Sequence, residues 1–499
     1  MMCMNDQYSS KNNFSPILFA KSVATDTVIY GVASILSRSV SLLSFPLLAR
    51  FYSVENYGLI DLLYLATNLL TTFLILGQES AIFRFFHVDN CNQKRCQMIT
   101  GSLTFQLILS TVVTFILWII KQLFQENFGI SNHVNYLIDI VLLTAPFGVI
   151  YANAQAILRL TFKRIQFLIL SIGFTIANLI IVFISTLIFK PEIVLLFQLH
   201  LVVWIIFGFL SLWYIREWII FPKRPLVSRK MISYGVPMGL ITLIGVVQPF
   251  VERIVVNQEV NLEALGLYAA AAKISLLVTL IVGAFQSAFS PFLMSSYQSE
   301  NVIKSYNFLL KLYMIGLSCV VLTLAAYGDS ILLLMGGEKY IKGAIVIFPV
   351  ALSIFIKSIG IIIGTGIILS NKTYLKLIIY IISLFISISM MIIFGGTYGI
   401  VGIAFGTIVG NLVMLILEAY FGQVLWPMQW EFLVVPVMII LTSILGYWLT
   451  SVGSGTVFEL ASLIFALSIL LLVSLSIFNK DEKNLLMSYL LKKSESLKV

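Results

Sequence analysis

Five basic residues lie inside the long apolar stretches of the sequence, where a charged side chain needs a particular environment. They are Arg38, Arg84, Arg253, Lys273 and Lys357. A cation at the middle of a bilayer costs at least about 2.5–3.5 kcal/mol, so such residues usually face a wet cavity or an opposite charge. Arginine offers two parallel hydrogen bonds to a phosphate, and lysine offers a compact point charge. The five cations therefore predict a positively charged cavity that binds an anionic head group.

Two of these cations have an alternative interpretation. Arg84 is near the inner end of its stretch, so its long side chain could extend to the membrane surface instead of a cavity. Lys273 could pair with a neighbouring carboxylate. Arg38 and Lys357 lie midway along their stretches, far from either membrane surface, and they favour the cavity most strongly.

Carboxylates and a histidine accompany the cations. Asp61 and Glu79 flank the second apolar stretch, and Glu252 directly precedes Arg253. Because neighbouring residues of a helix point about 100° apart, Glu252 and Arg253 need not pair with each other. The acids either carry a proton during transport or neutralise the cations, and we favour neutralisation. We interpret His200 as a hydrogen-bonded residue of the helix bundle and not as a proton relay.

The elements that must position these residues are membrane-spanning helices. The chain is 60% hydrophobic and 11% charged. Its apolar stretches recur in blocks of about 20 residues, the length that crosses roughly 30 Å of hydrocarbon. We predict an all-α integral membrane protein with about fourteen spans. They cover residues 28–49, 58–86, 99–120, 136–158, 165–188, 193–215, 231–258, 264–292, 305–327, 344–369, 377–394, 400–421, 432–450 and 458–478.

The basic residues predict the orientation of these helices. With the N-terminus inside, 21 of the 31 basic residues lie on the cytoplasmic side and 5 on the outer side. The reverse orientation would violate the positive-inside rule. The first 20 residues lack the apolar core and cleavage site of a signal peptide. We predict a multi-pass protein of the cell inner membrane, with both termini cytoplasmic and its basic loops against anionic lipid head groups.

Neither the charge nor the cysteines of the chain indicate a further ligand. The net charge of +9 could indicate nucleic-acid binding in a soluble protein, but here short inner loops such as 216–230 hold the basic residues. We therefore predict no nucleic-acid partner. Cys91 and Cys96 share an inner loop, where reducing conditions disfavour a disulfide, and with only His87 nearby they make a poor zinc pattern. We expect no metal ion and no cofactor.

The sequence also indicates an internal repeat with a shift of 208 residues. The matched pairs are Glu55 with Glu263, Gly58 with Gly266, Leu59 with Leu267, Leu69 with Leu277, Thr71 with Thr279 and Gln78 with Gln286. Two parallel repeats predict two pseudo-symmetric lobes, with the substrate site between them, plus an appended C-terminal helix pair. The predicted regions are a cytoplasmic segment 1–27, an N-lobe 28–230, a C-lobe 231–421, the helix pair 422–478 and a cytoplasmic basic tail 479–499.

Helix-breaking residues predict where the bundle bends and where helices come close. Pro237 and Pro249 lie within the seventh stretch, and a proline there removes a backbone donor and bends the helix. We interpret both prolines as hinge residues. Gly402, Gly406 and Gly410 repeat at every fourth position, which lets a neighbouring backbone approach closely.

Five short segments carry a resemblance to a known family by their order and spacing. The first is FPLLARFYSVENYG at residues 45–58, the end of the first span and its loop. The others are SYGVPMG at 233–239, ER at 252–253, LGLYAAAAK at 265–273 and GGTYGIVGIAFG at 395–406. Together these segments resemble the Wzx-type polysaccharide flippases, of the superfamily that also holds multidrug exporters and the lipid II flippase.

The resemblance implies two lobes, alternating access and a substrate made of an oligosaccharide on a polyprenyl pyrophosphate. It also implies that cavity cations bind the pyrophosphate, and Arg38, Arg253 and Lys273 are the positions that match by motif or by span. The family usually has Asp before the arginine of span 7, and this chain has Glu252. The predicted function is flipping of O-antigen or capsule-type units, in company with a polysaccharide polymerase and chain-length machinery.

Other functions remain open at this point. A multidrug exporter of the same superfamily would prefer carboxylates for its cationic substrates, but basic residues outnumber acids in mid-span. A membrane polymerase or glycosyltransferase would need acid and base groups on a substantial outer loop. The predicted outer loops are short and carry no cluster of carboxylates or histidines. An assembly scaffold for glycan-making enzymes is a further alternative.

Overall fold

The computed structural model describes most of the chain as helices. It covers residues 42–86, 91–124, 132–189, 191–220, 229–296, 302–370, 372–427, 430–452, 456–478 and 482–483. Across these ranges every regular element is helical. The helices are α1 (Leu42–Phe51), α2 (Val54–Ile75), α3 (Gln78–Phe85), α4 (Asn92–Phe124), α5 (Asn132–Leu160), α6 (Arg164–Phe183), α7 (Ile193–Ile215), α8 (Arg229–Glu259), α9 (Leu262–Ser296), α10 (Val302–Gly336), α11 (Ile347–Ile363), α12 (Thr365–Leu369), α13 (Thr373–Leu425), α14 (Val434–Ser451) and α15 (Thr456–Ile477).

The predicted all-α membrane architecture is confirmed. Twelve helices of the described ranges are long and apolar enough to cross a bilayer. One of them, α13, contains 53 residues and is two helices joined at Gly399, where φ is 60° and ψ is −141°. The first predicted span, 28–49, is described only from residue 42, and Arg38 lies outside the described residues. The count of fourteen stays a prediction.

The two halves of α13 fold back on each other at the predicted glycine row. A Cβ atom at Gly410 would lie 2.5 Å from the Cβ atom of Ser387, and one at Gly406 would collide with the backbone nitrogen of Met391. The Ser383 hydroxyl donates to the Gly410 carbonyl at 2.7 Å. Close approach at this row is therefore confirmed, because these positions have no room for a side chain.

The chain divides into two compact units, Met1–Ile254 and Val255–Val499. The first unit contains α1 to α7 and most of α8, and α5 supplies much of its apolar core through Ala154, Ile157 and Leu158. The lobe boundaries predicted from the repeat stay a prediction.

The second unit packs its helices around α11, whose residues Phe355 and Ile359 are fully buried. The final helices α14 and α15 lie against α10 in this unit. The Ser318 and Thr442 hydroxyls share a hydrogen bond of 2.8 Å between α10 and α14. The Ser330 hydroxyl donates to a Glu459 carboxylate oxygen at 3.5 Å between α10 and α15.

Candidate functional site

Arg253 lies between two carboxylates in the first unit. Its Nε donates to Asp61 Oδ2 at 3.0 Å, and its Nη1 donates to Glu252 Oε2 at 3.3 Å. All three side chains are at least 87% buried. The cluster carries a net charge of −1 when all three groups are ionised. This geometry agrees with the neutralising role that we favoured for the acids, and Glu252 does pair with the arginine that follows it.

Two helices position this cluster. Helix α2 begins after Ser53, whose hydroxyl accepts from the Asn56 backbone N–H at 3.2 Å and so caps the helix. Asp61 is two turns into α2, and Arg253 and Glu252 are near the end of α8. An ion pair between two helices, shielded from water, ties them together because separating its charges would leave each one buried without compensation.

A second group of charges surrounds α3 in the first unit. Arg84 is exposed, and its guanidinium carbon lies 4.4 Å above the ring centre of Tyr234. Arg159 Nη2 is 3.9 Å from Glu79 Oε2, and its guanidinium is 5.5 Å from the ring centre of Phe83. We call these five residues the α3 cationic cluster. Its arginines are held on aromatic rings, which fixes their positions while leaving their N–H groups accessible.

Sequence reasoning missed Arg159, because that residue falls in a short inner loop where basic residues serve to orient the protein. The only signal was its place at the start of the basic loop 159–164. Three-dimensional contact with Glu79 and Phe83 is what brings it beside α3.

The predicted lysines lie in the second unit. Lys273 is half-buried on α9, and Lys357 is half-buried on α11. Lys357 lies within electrostatic range of Glu418, a carboxylate that is 1% exposed, and Glu418 Oε1 is 3.4 Å from Lys376 Nζ. Gly360 makes this arrangement possible, since a Cβ atom there would collide with Glu418 Oε2. Lys357 is thus close to a buried acid near the end of the predicted span 400–421.

His200 is held by hydrogen bonds on both ring nitrogens. The Trp204 indole N–H donates to His200 Nε2 at 2.8 Å, and His200 Nδ1 is 2.7 Å from Asn178 Oδ1. Because Nε2 accepts, the ring is neutral and its proton is on Nδ1. The predicted role of His200 as a hydrogen-bonded residue of the helix bundle is confirmed by this geometry.

Lys311 is a sixth cation within a predicted span, 305–327, although sequence reasoning counted it among the cytoplasmic charges. It is 2% exposed, and its Nζ is 2.8 Å from both Glu431 Oε2 and Glu482 Oε2. Phe478 lies beside it, with its ring centre 5.8 Å from the ammonium. These contacts fasten the chain before α14 and the chain after α15 to α10.

Metal binding has no candidate site among the described residues, which hold no group of three or more His, Cys, Asp or Glu side chains placed to share an ion. The ionic groups above are cation–carboxylate and cation–aromatic clusters. The accessible hydrogen-bond donors in these clusters are arginine N–H groups, and such groups recognise negatively charged ligands.

Solved structures with the same fold are membrane transporters. The lipid II flippase MurJ in an inward closed conformation superposes with a TM-score of 0.70 over 91% of this chain and 99% of its own, at 17% identity. An inward-facing multidrug resistance MATE transporter of the MOP superfamily gives 0.63 over 78% of this chain and 94% of its own, at 16% identity. The fold of this chain is therefore the one that these flippase and exporter structures share.

Sequence relatives narrow this class. The family described as polysaccharide biosynthesis protein matches residues 23–298, more than half of the chain. The chain belongs to this polysaccharide biosynthesis protein family. It is 21% identical to Lsg locus putative protein 1 of Haemophilus influenzae over 56% of this chain and 68% of that protein. It is 23% identical to the capsular polysaccharide biosynthesis protein CapF of Staphylococcus aureus over 45% of this chain and 59% of that protein.

Proposed function

We propose that this protein is a flippase for oligosaccharide units linked to polyprenyl pyrophosphate. It moves them from the cytoplasmic to the outer face of the inner membrane for O-antigen or capsule-type polysaccharide assembly, and it makes and breaks no covalent bond. The observation that carries the proposal is the α3 cationic cluster, within a chain of the polysaccharide biosynthesis family.

The α3 cationic cluster suits a diphosphate linked to a sugar. Arg84 is exposed, and the 3.9 Å contact between Arg159 and Glu79 is longer than a hydrogen bond. A diphosphate can therefore bind Arg84 and displace the weak Glu79 contact of Arg159, gaining bidentate hydrogen bonds. The Tyr234 and Phe83 rings beside these guanidiniums add flat apolar surface of the kind that sugars contact.

Arg253 has a different role in this proposal from the one that its position alone predicted. Its guanidinium is neutralised by Asp61 and Glu252, so we assign the trio to holding α2 and α8 together in this state. Asp61 and Glu252 become the coupling or charge-balancing acids when the trio opens. A substrate can shift such a two-state equilibrium only through its different affinity for the two states.

The remaining predicted cations complete the proposal. Arg38, Lys273 and Lys357 stay candidates for head-group binding, with Glu418 balancing Lys357. Membrane lipids and a polysaccharide polymerase with its chain-length machinery are the proposed partners. We place both termini in the cytoplasm from the distribution of basic residues.

The test is the membrane side of lipid-linked oligosaccharides in a deletion strain, probed by an external lectin or glycosidase. Complete units trapped inside support a flippase. Arg84→Ala and Arg253→Ala should each fail to restore export at normal protein levels. Arg216→Ala is the matched control, because Arg216 is also exposed and lies 3.8 Å over the ring centre of Trp213. Wild-type export from both Arg84→Ala and Arg253→Ala would refute the assignment.

A multidrug exporter is the alternative that the MATE-like fold and the net negative trio around Arg253 favour. The same deletion strain separates the two functions. An exporter predicts accumulation of cationic drugs and no trapped glycan, whereas single units exposed outside but not polymerised would indicate a polymerase.

A further inference from the structure

The predicted second span, 58–86, is interrupted after Ile75, which its apolar sequence did not predict. Helix α2 ends at Ile75, Leu76 has φ 48° and ψ 36°, Gly77 has φ 68°, and α3 begins at Gln78. Positive φ is strained for a leucine because its Cβ crowds the carbonyl oxygen. Such a conformation persists only where the surrounding structure holds it.

Side chains of neighbouring helices hold the break in place. Gln106 of α4 donates from Nε2 to the Ile75 carbonyl at 2.9 Å, which satisfies an acceptor that the end of α2 leaves without a helical partner. Asn153 of α5 donates in turn to Gln106 Oε1 at 2.5 Å. Gln106 and Asn153 are both fully buried. A buried polar network that satisfies the interrupted backbone shows that the break is a built feature of this unit.

The break lies directly against α8. A Cβ atom at Gly239 would be 2.5 Å from Gly77 N and 2.6 Å from the carbonyl carbon of Leu76, and one at Gly235 would be 3.2 Å from Gly77 O. These two glycines flank Pro237, one of the predicted hinge prolines. The irregular point of the second span and the proline-containing part of the seventh span therefore touch backbone to backbone.

Gln78 is the first residue after the break, and its amide is unsatisfied in this state. The side chain is fully buried, and neither Nε2 nor Oε1 has a hydrogen-bond partner among the described residues. A buried amide in this condition is costly and rare in native structures. The cost is explained if the amide reaches partners in a second conformation of α3.

The corresponding position of the repeat has no such break. The shift of 208 residues places Ala284 and Phe285 at the positions of Leu76 and Gly77. Helix α9 runs from Leu262 to Ser296 without interruption. If the fold itself required a break at this position, both copies of the repeat would be expected to have one. We therefore attribute the break to a role of α3 that α9 does not share.

We propose that Leu76 and Gly77 form the hinge about which α3 turns during transport. Gly235 and Gly239 are the surface against which the hinge turns, and the Gln78 amide forms its hydrogen bonds once α3 has turned. Because α3 carries Glu79, Phe83 and Arg84, the turn moves these members of the α3 cationic cluster relative to Tyr234 and Arg159. The inference rests on the transport function proposed above.

The Gln78→Leu variant distinguishes between a hinge and a static contact at the break. The leucine fills similar space without a polar group, so it should stabilise the conformation described here and raise the melting temperature of the purified protein by about 2 °C or more. The same variant should lose most glycan export, because the turned conformation loses the amide's partners. Wild-type export, or a lower melting temperature together with lost export, would overturn the proposal.

A glycine pair on α8 gives a matched comparison. Gly239→Ala places a methyl group against the hinge backbone and should lower export by about tenfold or more. Gly245→Ala, on the same helix, meets nothing within 4 Å and should export normally. Equal export by the two variants at equal protein levels would contradict the role of Gly239.

A third measurement does not depend on the substrate. In a variant with all four cysteines replaced by serine, Phe85→Cys and Tyr234→Cys would be joined by a short thiol cross-linker, since these two rings are 6.0 Å apart. Adding Gln78→Leu should raise the cross-linking yield by holding α3 in place. An unchanged yield would refute the hinge, whereas absence of glycan export by the unsubstituted protein would refute only the proposed function.

Discussion

At the scale of single residues, the two cations that are buried within the described ranges, Arg253 and Lys311, each contact two carboxylates. Arg253 contacts Asp61 and Glu252. Lys311 has the same two-acid arrangement with Glu431 and Glu482. The exposed arginine of α3 rests on an aromatic ring instead. The difference matters for function, because a compensated cation stabilises the bundle whereas an accessible one can bind a ligand.

Lys311 provides a stability test of this arrangement. Lys311→Met leaves two carboxylates facing each other without their cation, and we expect unfolding to become easier by about 3 kcal/mol. The triple variant with Glu431→Gln and Glu482→Gln should recover most of that loss, since it removes the repulsion as well. Melting of the purified protein in detergent measures both. A triple variant no more stable than Lys311→Met would contradict this account.

At the scale of elements, glycine residues allow the closest backbone contacts between helices. The return of α13 on itself and the contact of the α2–α3 break with α8 both depend on positions without a Cβ atom. Helices in a membrane gain little from apolar burial against each other, because lipid is equally apolar, so close backbone packing supplies much of their attraction.

The α13 hairpin gives the corresponding prediction. Gly406→Ala would collide with the backbone of Met391, which cannot move away like a side chain, so we expect a loss of about 1–3 kcal/mol. Gly316→Ala on α10 is the control, because its Cβ atom meets nothing within 4 Å and alanine favours a helix by about 0.5–1 kcal/mol. Thermal melting should rank Gly316→Ala above Gly406→Ala, and the opposite order would contradict the packing argument.

At the scale of the whole molecule, the orientation in the membrane is open to direct measurement. Cys91 is exposed directly before α4, in a loop that the charge distribution predicts to be cytoplasmic. With Cys3, Cys96 and Cys319 replaced by serine, an impermeant thiol reagent should label Cys91 in inverted vesicles and not in intact cells.

The orientation control is Asn132→Cys in a chain without its native cysteines. Asn132 is exposed at the start of α5, on the predicted outer side. It should be labelled in intact cells. Labelling of Cys91 in intact cells would reverse the predicted topology and with it the proposed direction of transport.

Composition and hydropathy were enough to predict much of the fold. Apolar length predicts membrane helices because lipid cannot hydrogen-bond to the backbone, so each span must satisfy its own polar groups. The glycine row and the mid-span cation Arg253 were also visible in the sequence, whereas the buried Lys311 was not recognised. The resemblance of short ordered motifs indicated the polysaccharide flippases, and the family match supports that membership.

Partners of the charges and the breaks in the helices were decided by the tertiary structure. Arg253 and Asp61 are 192 residues apart, and no local pattern encodes their contact. Arg159 belongs to the α3 cationic cluster because it contacts two residues of α3, which its position at the start of a basic loop did not indicate. Leu76 is an ordinary apolar residue in the sequence, yet it takes a left-handed conformation because Gln106 and the α8 glycines hold the break around it. Local patterns determine that helices form, whereas their interruptions and ion pairs depend on neighbours that only folding brings together.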